Sequence, residues 1–310
     1  MTVHDTIDQA RSELNEHGFV VLEGLIDQAT VADLKDRADR IMAYERDHPF
    51  DPGDGPALPT DAEFCTEYGP YAAAPGEAER VQQRIRADRA REFDTPWPVP
   101  PEDVCISFFH LPSLTDDGRS QRIFNLINKD SAFAPLIEHP TLLGLMDAEL
   151  GGDCVLLDVS VNHVGPDSDS GGWHLDSPIS TMPEPLPNFT LSIQTAWMLD
   201  DFTAANGATL VGRGSHQTFS QPPTGQSVLE NETVLEGPAG SVAVWLSQTW
   251  HRHGPNRTDQ ARTGVIIQFG RAWIKPFVDL RTPMTAAMAA QLSPRLRYMM
   301  GCNASAPVRG

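Results

Sequence analysis

Residues 155–178 read VLLDVSVNHVGPDSDSGGWHLDSP, and the change of texture along them decides the fold. Val155 to Val161 is a short, mostly apolar run bounded by turn residues, the pattern of a strand buried in a sheet. A stretch rich in Gly, Ser, Asp and Pro follows, and then Trp173-His174-Leu175-Asp176. In extended backbone, residues two apart share a face, so His174 and Asp176 offer an imidazole and a carboxylate to one point. A second imidazole is available from His251, which follows the strand-like run Ser241 to Leu246. Two histidines and one carboxylate make a facial triad with open positions, the arrangement expected of a non-haem Fe(II) oxygenase.

Working outward, short apolar or alternating runs recur at 155–161, 190–199, 208–211, 241–246 and 265–269, with turn-rich segments between them. That spacing predicts a double-stranded β-helix of jelly-roll, cupin-like type, a mainly β (α+β) fold with helices packed outside. Helical periodicity marks 5–14, 30–44 and 131–150, with a strand at 18–22 and a helical tail at 283–300. We therefore expect a single domain over 1–310: N-terminal helices and an irregular lid segment about 47–100 within 1–154, the jelly-roll core at 155–270, and the tail at 271–310. Glu77 to Arg91 reads as a helix inside the lid region, its arginines forming a solvated face.

Composition narrows the function. A net charge of -19 disfavours nucleic acid and anionic membrane surfaces, which call for clustered Lys and Arg. No apolar run approaches the roughly 20 residues of a membrane-spanning helix. The first residues lack the basic-then-apolar order of a secretory signal, so a cytoplasmic location is expected. Cys65, Cys105, Cys154 and Cys302 form no C-x-x-C pair and read as reduced thiols. A small-molecule substrate is what remains.

Further residues arrive in a telling order: Asn206-Gly207-Ala208-Thr209 running to Gly214-Ser215-His216, then Trp250-His251-Arg252-His253-Gly254-Pro255-Asn256, then Arg262 eleven positions after His251. With the W-H-x-D segment, this series resembles the phytanoyl-CoA dioxygenase family of Fe(II)/2-oxoglutarate oxygenases. The resemblance is specific from Trp173 to Arg262. It implies Fe(II) held by His174, Asp176 and His251, with 2-oxoglutarate and O2 as cosubstrates and succinate and CO2 as products. It also implies that Arg262 grips the far carboxylate of 2-oxoglutarate, for which a guanidinium fork is well shaped. Trp197 matches a family position beside the cosubstrate, although a tryptophan on a strand reads equally as core, and Thr209 and Asn162 are further candidate contacts. Related halogenases lack the carboxylate that Asp176 supplies, which points to hydroxylation or another C–H oxidation instead.

Other histidines weigh less. His253 stands where some family members have a small hydroxyl residue contacting 2-oxoglutarate, a departure that leaves its role open. His216 reads as a turn residue, and His110, His139 and His163 lack a paired acid. Phe50, Phe64, Tyr68, Tyr71, Trp97, Phe108 and Phe109 offer aromatic surface for a mainly apolar substrate or for the core. Two readings compete with the oxygenase: a non-catalytic jelly-roll binding protein, and a cupin-type metal-dependent isomerase or hydrolase. The acidic surface and the helical tail are compatible with a homodimer.

Overall fold

The computed structural model describes residues 3–47, 113–225, 228–276, 278, 280, 284 and 286–301. The lid segment beyond Asp47, the helix expected at 77–91, the aromatic residues from Phe50 to Phe109, and Cys65, Cys105, Cys302 and His110 lie outside the described residues.

The chain opens with α1 (Val3–His17), β1 (Phe19–Leu22) and α2 (Gln28–Asp47). In α1 the buried residues are Ala10 and Leu14, and in α2 they include Val31, Leu34, Ala38 and Met42, the helical spacing that the sequence carries. A hairpin, β2 (Ser113–Thr115) and β3 (Ser120–Ile123), comes next. It turns on Asp116, Asp117 and Gly118, all at positive φ. Asp-Gly is a strong hairpin signal that short strands make easy to overlook. The helix expected at 131–150 is divided into a 3-10 turn, α3 (Ala134–Ile137) and α4 (Pro140–Leu150). Pro140 forces the break, because the residue before a proline is pushed out of helical geometry and His139 is accordingly extended in ψ at 126°.

Seven remaining strands form most of the two sheets: β4 (Val155–Val164), β5 (Ser192–Met198), β6 (Thr209–Gly212), β7 (Glu232–Val234), β8 (Val242–Leu246), β9 (His251–His253) and β10 (Arg262–Gly270). Two short helices, α5 (Ala286–Gln291) and α6 (Pro294–Met299), follow. The major sheet runs β1-β8-β5-β10-β4-β3-β2 and the minor sheet β7-β6-β9, antiparallel throughout. His174 bridges antiparallel to His251 and so extends the minor sheet beyond β9. The result is an open jelly-roll sandwich, mainly β with flanking helices, as expected.

The two faces of the major sheet are covered differently. Val159, Val161, Ile193, Trp197, Val242, Val244, Val265 and Ile267 meet the helices in one large core. Ala196, Met198, Ala243 and Trp245 face the minor sheet, packing with Phe202, Ala208, Val211 and Leu235. No helix among the described residues is long and apolar enough to cross a membrane.

Candidate active site

Register places a polar row on the inner face of the major sheet. Asp158 of β4 is the partner of Gln268 of β10, Gln268 of Gln194 on β5, and Gln194 of Trp245 on β8. All four are buried. Polar side chains on strands buried on both faces are costly unless they bond to something, so each needs a partner. The segment around Asp176 supplies two of them. Gln194 donates from Nε2 to Asp176 Oδ2, and Gln268 donates from Nε2 to the Ser177 carbonyl at 3.0 Å. Trp245 lies with its ring 5.4 Å from that of His251.

Above this row the triad comes together. His251 Nε2 is 3.2 Å from Asp176 Oδ2, and His174 Nε2 is 3.6 Å from Asp176 Oδ1. One ligand atom from each residue lies within 4.8 Å of the other two. The imidazoles are oriented by their own backbone. Nδ1 of His174 donates to the Gly172 carbonyl at 2.9 Å, and Nδ1 of His251 to the Thr249 carbonyl at 3.0 Å. A carbonyl accepts only, so each Nδ1 carries a hydrogen; in the neutral ring that leaves the Nε2 lone pair to ligate, and without a metal His251 Nε2 shares a proton with Asp176 Oδ2 instead.

Electrostatics couple the three groups. Burial lowers the His174 imidazole, helped by the neighbouring His251, and so favours the neutral form that binds a metal. For Asp176, burial acts against charge, but the charge and hydrogen bond of His251 win and hold its carboxyl below the usual range. Burial likewise acts on His251, where the Asp176 carboxylate outweighs it and raises the imidazole. These are the responses of two imidazoles and a carboxylate pressed together around a shared point.

Arg262 lies on the same inner face, as the partner of Val164 at the start of β10. Its side chain is 1% exposed, with the guanidinium 4.3 Å above the Phe202 ring. Its hydrogen-bond partner is the carbonyl of Gly207, which stands at φ +83, where a side chain would be strained. Gly264 makes room for the arrangement, because a Cβ there would come within 2.7 Å of Phe202 Cζ. Arg262 Nε is buried without a partner, and no carboxylate among the described residues pairs with this cation. Burial pushes it down to about 10 against the pull of Asp200. A buried guanidinium with no carboxylate paired to it has donors left to offer an anion.

The other expected residues divide. Asn162 is on the inner face, opposite Gly264 and Arg122, and Thr209 is the cross-strand partner of His253. His253 shares the inward side of β9 with His251, and its ring lies 3.2 Å from where a Cβ on Gly171 would be. Trp197 is a correction to expectation. Its neighbours Ala196 and Met198 point inward, so Trp197 points outward into the helical core, fully buried and edge-on to His139 at 5.6 Å. In a strand, an offset of a single residue moves a side chain to the opposite face. His216 hydrogen-bonds the Asn15 carbonyl at 3.1 Å and serves the α1 junction.

Residue-by-residue reading of the sequence passed over Gln194, Gln268, Asp158 and Arg122. Arg122 donates to Asp158 Oδ2 at 2.7 Å and to Ser160 Oγ at 3.1 Å, and its charge reaches Asp176. The available signal was polar residues interrupting strands otherwise buried on both faces, as in Val-Leu-Leu-Asp158 and Ile-Ile-Gln268.

Beside His174, a cavity of about 660 Å³ is lined by Ser170 to Leu175, by Ser180, by Gln221 to Gly225 and by Arg252. The Arg252 guanidinium lies 4.7 Å over the Trp173 ring, and its Nε is buried without a partner.

Comparison with known proteins agrees with this geometry. The family described as Phytanoyl-CoA dioxygenase (PhyH) matches residues 14–264. The chain belongs to the phytanoyl-CoA dioxygenase family. It is an oxidoreductase of dioxygenase type, and the triad described above lies within the span that defines the family. Among its relatives, the uncharacterized protein Rv1501 of Mycobacterium tuberculosis is 23% identical over 96% of this chain and 87% of its own length. Dioxygenase af480 of Aspergillus fumigatus is 25% identical over 61% of each chain. The fold is shared with the epimerase SnoN, solved with Fe3+, alpha-ketoglutarate and nogalamycin RO, at TM-score 0.54 and 15% identity over 87% of this chain and 85% of that one. HygX from Streptomyces hygroscopicus, solved with nickel, 2-oxoglutarate and hygromycin B, superposes at TM-score 0.53 with 12% identity over 87% and 89%.

Proposed function

We propose that this family member is an Fe(II)- and 2-oxoglutarate-dependent dioxygenase that oxidises an unactivated C–H of a mainly apolar small molecule in specialised metabolism. The observation that carries the reading is the pairing of a prepared His-Asp-His triad with a buried, anion-seeking Arg262 on one inner face. The donor set fits Fe(II): two neutral imidazoles presenting Nε2 and one carboxylate leave positions for a bidentate 2-oxo acid and for dioxygen. When bound, that assembly supplies oxidising power by converting 2-oxoglutarate to succinate and CO2, with hydroxylation of the substrate.

The chain's residues have distinct tasks in this reading. His174, Asp176 and His251 hold the metal. Arg262 receives the far carboxylate of 2-oxoglutarate, an ion pair strengthened by exclusion from water. Thr209, Asn162 and His253 face the same space and are the further candidates to touch the cosubstrate. The cavity beside His174 receives the substrate: Trp173, Leu175, Pro222 and Pro223 give it an apolar lining, and Arg252 adds one donor for an acceptor group. Neighbours solved with nogalamycin RO and hygromycin B support a secondary metabolite as the class. A cupin-type hydrolase would be indifferent to Arg262, and a non-catalytic binding protein would not need the His-Asp-His triad beside it.

The test is anaerobic addition of Fe(II) and 2-oxoglutarate to the purified protein. The expected result is a metal-to-ligand charge-transfer band, followed by succinate on admitting air, both lost in His174→Ala. A wild type showing neither band nor succinate, indistinguishable from His174→Ala, refutes the reading.

A further inference from the structure

Something must decide how Asp176 presents its carboxylate to the site. Asp176 comes from the stretch between β4 and β5, with no regular element to fix it. Its two oxygens face different neighbours: Oδ1 is the one near His174 Nε2, and Oδ2 is the one near His251 Nε2. Oδ2 also receives the side-chain amide of Gln194. The direction of that bond is unambiguous, because an ionised carboxylate only accepts and the amide nitrogen must face it. Gln194 Oε1 then points into protein, buried and without a partner. Gln268, its cross-strand partner, repeats the pattern: Nε2 holds the Ser177 carbonyl and Oε1 is buried and unpartnered.

Two buried glutamines, each leaving one polar atom unsatisfied, are a poor solution for stability. Apolar side chains of the same size would spare the fold both orphaned oxygens. What the pair achieves is positional: consecutive residues, Asp176 and Ser177, are tied to the rigid floor of the central strands β5 and β10.

We propose that Gln194 is a positioning residue for the metal centre, with Gln268 as its support. By occupying Oδ2, Gln194 fixes the rotation of the carboxylate so that Asp176 ligates through one oxygen and keeps the remaining metal positions open for the cosubstrate. The inference rests on the triad being a metal site. Partners of this kind in other metal centres change affinity by about 10–100-fold.

The experiment uses Co(II) as probe on the full-length protein, with affinity and d–d absorption as readouts, alongside thermal unfolding of the metal-free protein. Gln194→Met is close in size and cannot donate, and Gln194→Asn keeps the amide but is too short to reach. Both are expected to bind Co(II) about 10–100-fold more weakly with an altered d–d spectrum. Metal-free Gln194→Met should melt within about 3 °C of wild type or higher, since an orphaned oxygen is removed. Gln268→Met should weaken Co(II) less than either. Co(II) affinity within about 3-fold of wild type in both Gln194 variants overturns the proposal. So does a loss of affinity that merely follows a fall in melting temperature, equal in Gln194→Met and Gln268→Met. If instead the wild type fails to bind Co(II), or His174→Ala binds it as well, the metal-site reading itself falls.

Discussion

The two faces of the major sheet are built from the same strands to opposite specifications. Along β5, Ile193, Thr195 and Trp197 face the helices, while Gln194, Ala196 and Met198 face the minor sheet. Along β10, Val265, Ile267 and Phe269 alternate in the same way with Arg262, Gly264, Ile266 and Gln268. The helical face is mostly hydrocarbon, its buried Thr195 hydroxyl satisfied by the Ile267 carbonyl, and is where apolar burial stabilises the fold. The inner face carries buried amides, a carboxylate and a guanidinium, several with atoms that nothing in the fold satisfies. Such groups cost stability where they stand. Their concentration on one face teaches that stability and function were assigned to opposite sides of one sheet, one residue out of phase.

The strongest way to break this comparison is Trp197→Ala. If the helical face is purely structural, deleting this fully buried indole costs about 3–5 kcal/mol of stability. Affinities for Co(II) and 2-oxoglutarate in the protein that remains folded should be unchanged. Urea unfolding together with ligand titration decides it. A large loss of 2-oxoglutarate affinity at undiminished stability would return Trp197 to the cosubstrate site.

Arg262→Met makes the converse test on the inner face. Here the expected effect is on ligand, not on fold: 2-oxoglutarate affinity in the metal-loaded protein falls about 100-fold, near 2.7 kcal/mol. The metal-free protein should melt no lower than wild type, because a buried cation without a protein anion is replaced by a side chain of similar length. An unchanged 2-oxoglutarate titration would remove Arg262 from the site and favour a cupin-type activity indifferent to this cosubstrate.

The same contrast explains what could be read from the sequence. Strands β1, β4, β5, β6, β8 and β10 were legible because apolar runs between turns are the direct trace of burial, and His174, Asp176, His251 and Arg262 stood out because their types and order are specific. Strands β2, β3, β7 and β9 read Ser-Leu-Thr, Ser-Gln-Arg-Ile, Glu-Thr-Val and His-Arg-His, short and largely polar, so no apolar run marks them. Trp197 was carried over from a family position, and the sequence offered no check on it, because both faces of β5 are buried and the period-two pattern that normally tells inside from outside is absent. Gln194 and Gln268 were missed because their partners, Asp176 and Ser177, lie far off in sequence and become neighbours only through register and a loop.

One charged pair on the helical side sharpens the comparison further. Lys129, at the end of the 3-10 turn Leu126–Asn128, hydrogen-bonds Glu45 of α2 where both are buried, and Glu45 Oε2 has no partner. Burial pushes Glu45 up to about 7 against the attraction of Lys129, and burial lowers Lys129 against the attraction of Glu45. Since the carboxyl of Glu45 holds its proton to higher pH in the folded than in the unfolded chain, its contribution to stability is fully present below the unfolded value of 4.5 and is lost as pH rises through about 7. Lys129 acts in the opposite sense toward alkaline pH, so the informative window is roughly pH 5 to 7.5. The melting temperature of wild type minus that of Glu45→Gln should decline across that window, by a few degrees at most, with Co(II) affinity the same in both. A difference that stays flat or grows with pH would mean that Glu45 is already ionised at pH 5 and that the pair is an ordinary strut. A decline places a pH-sensitive weakness on the mostly apolar face, and it would then be the folded scaffold, not the metal centre, whose stability falls first as pH approaches neutrality from below.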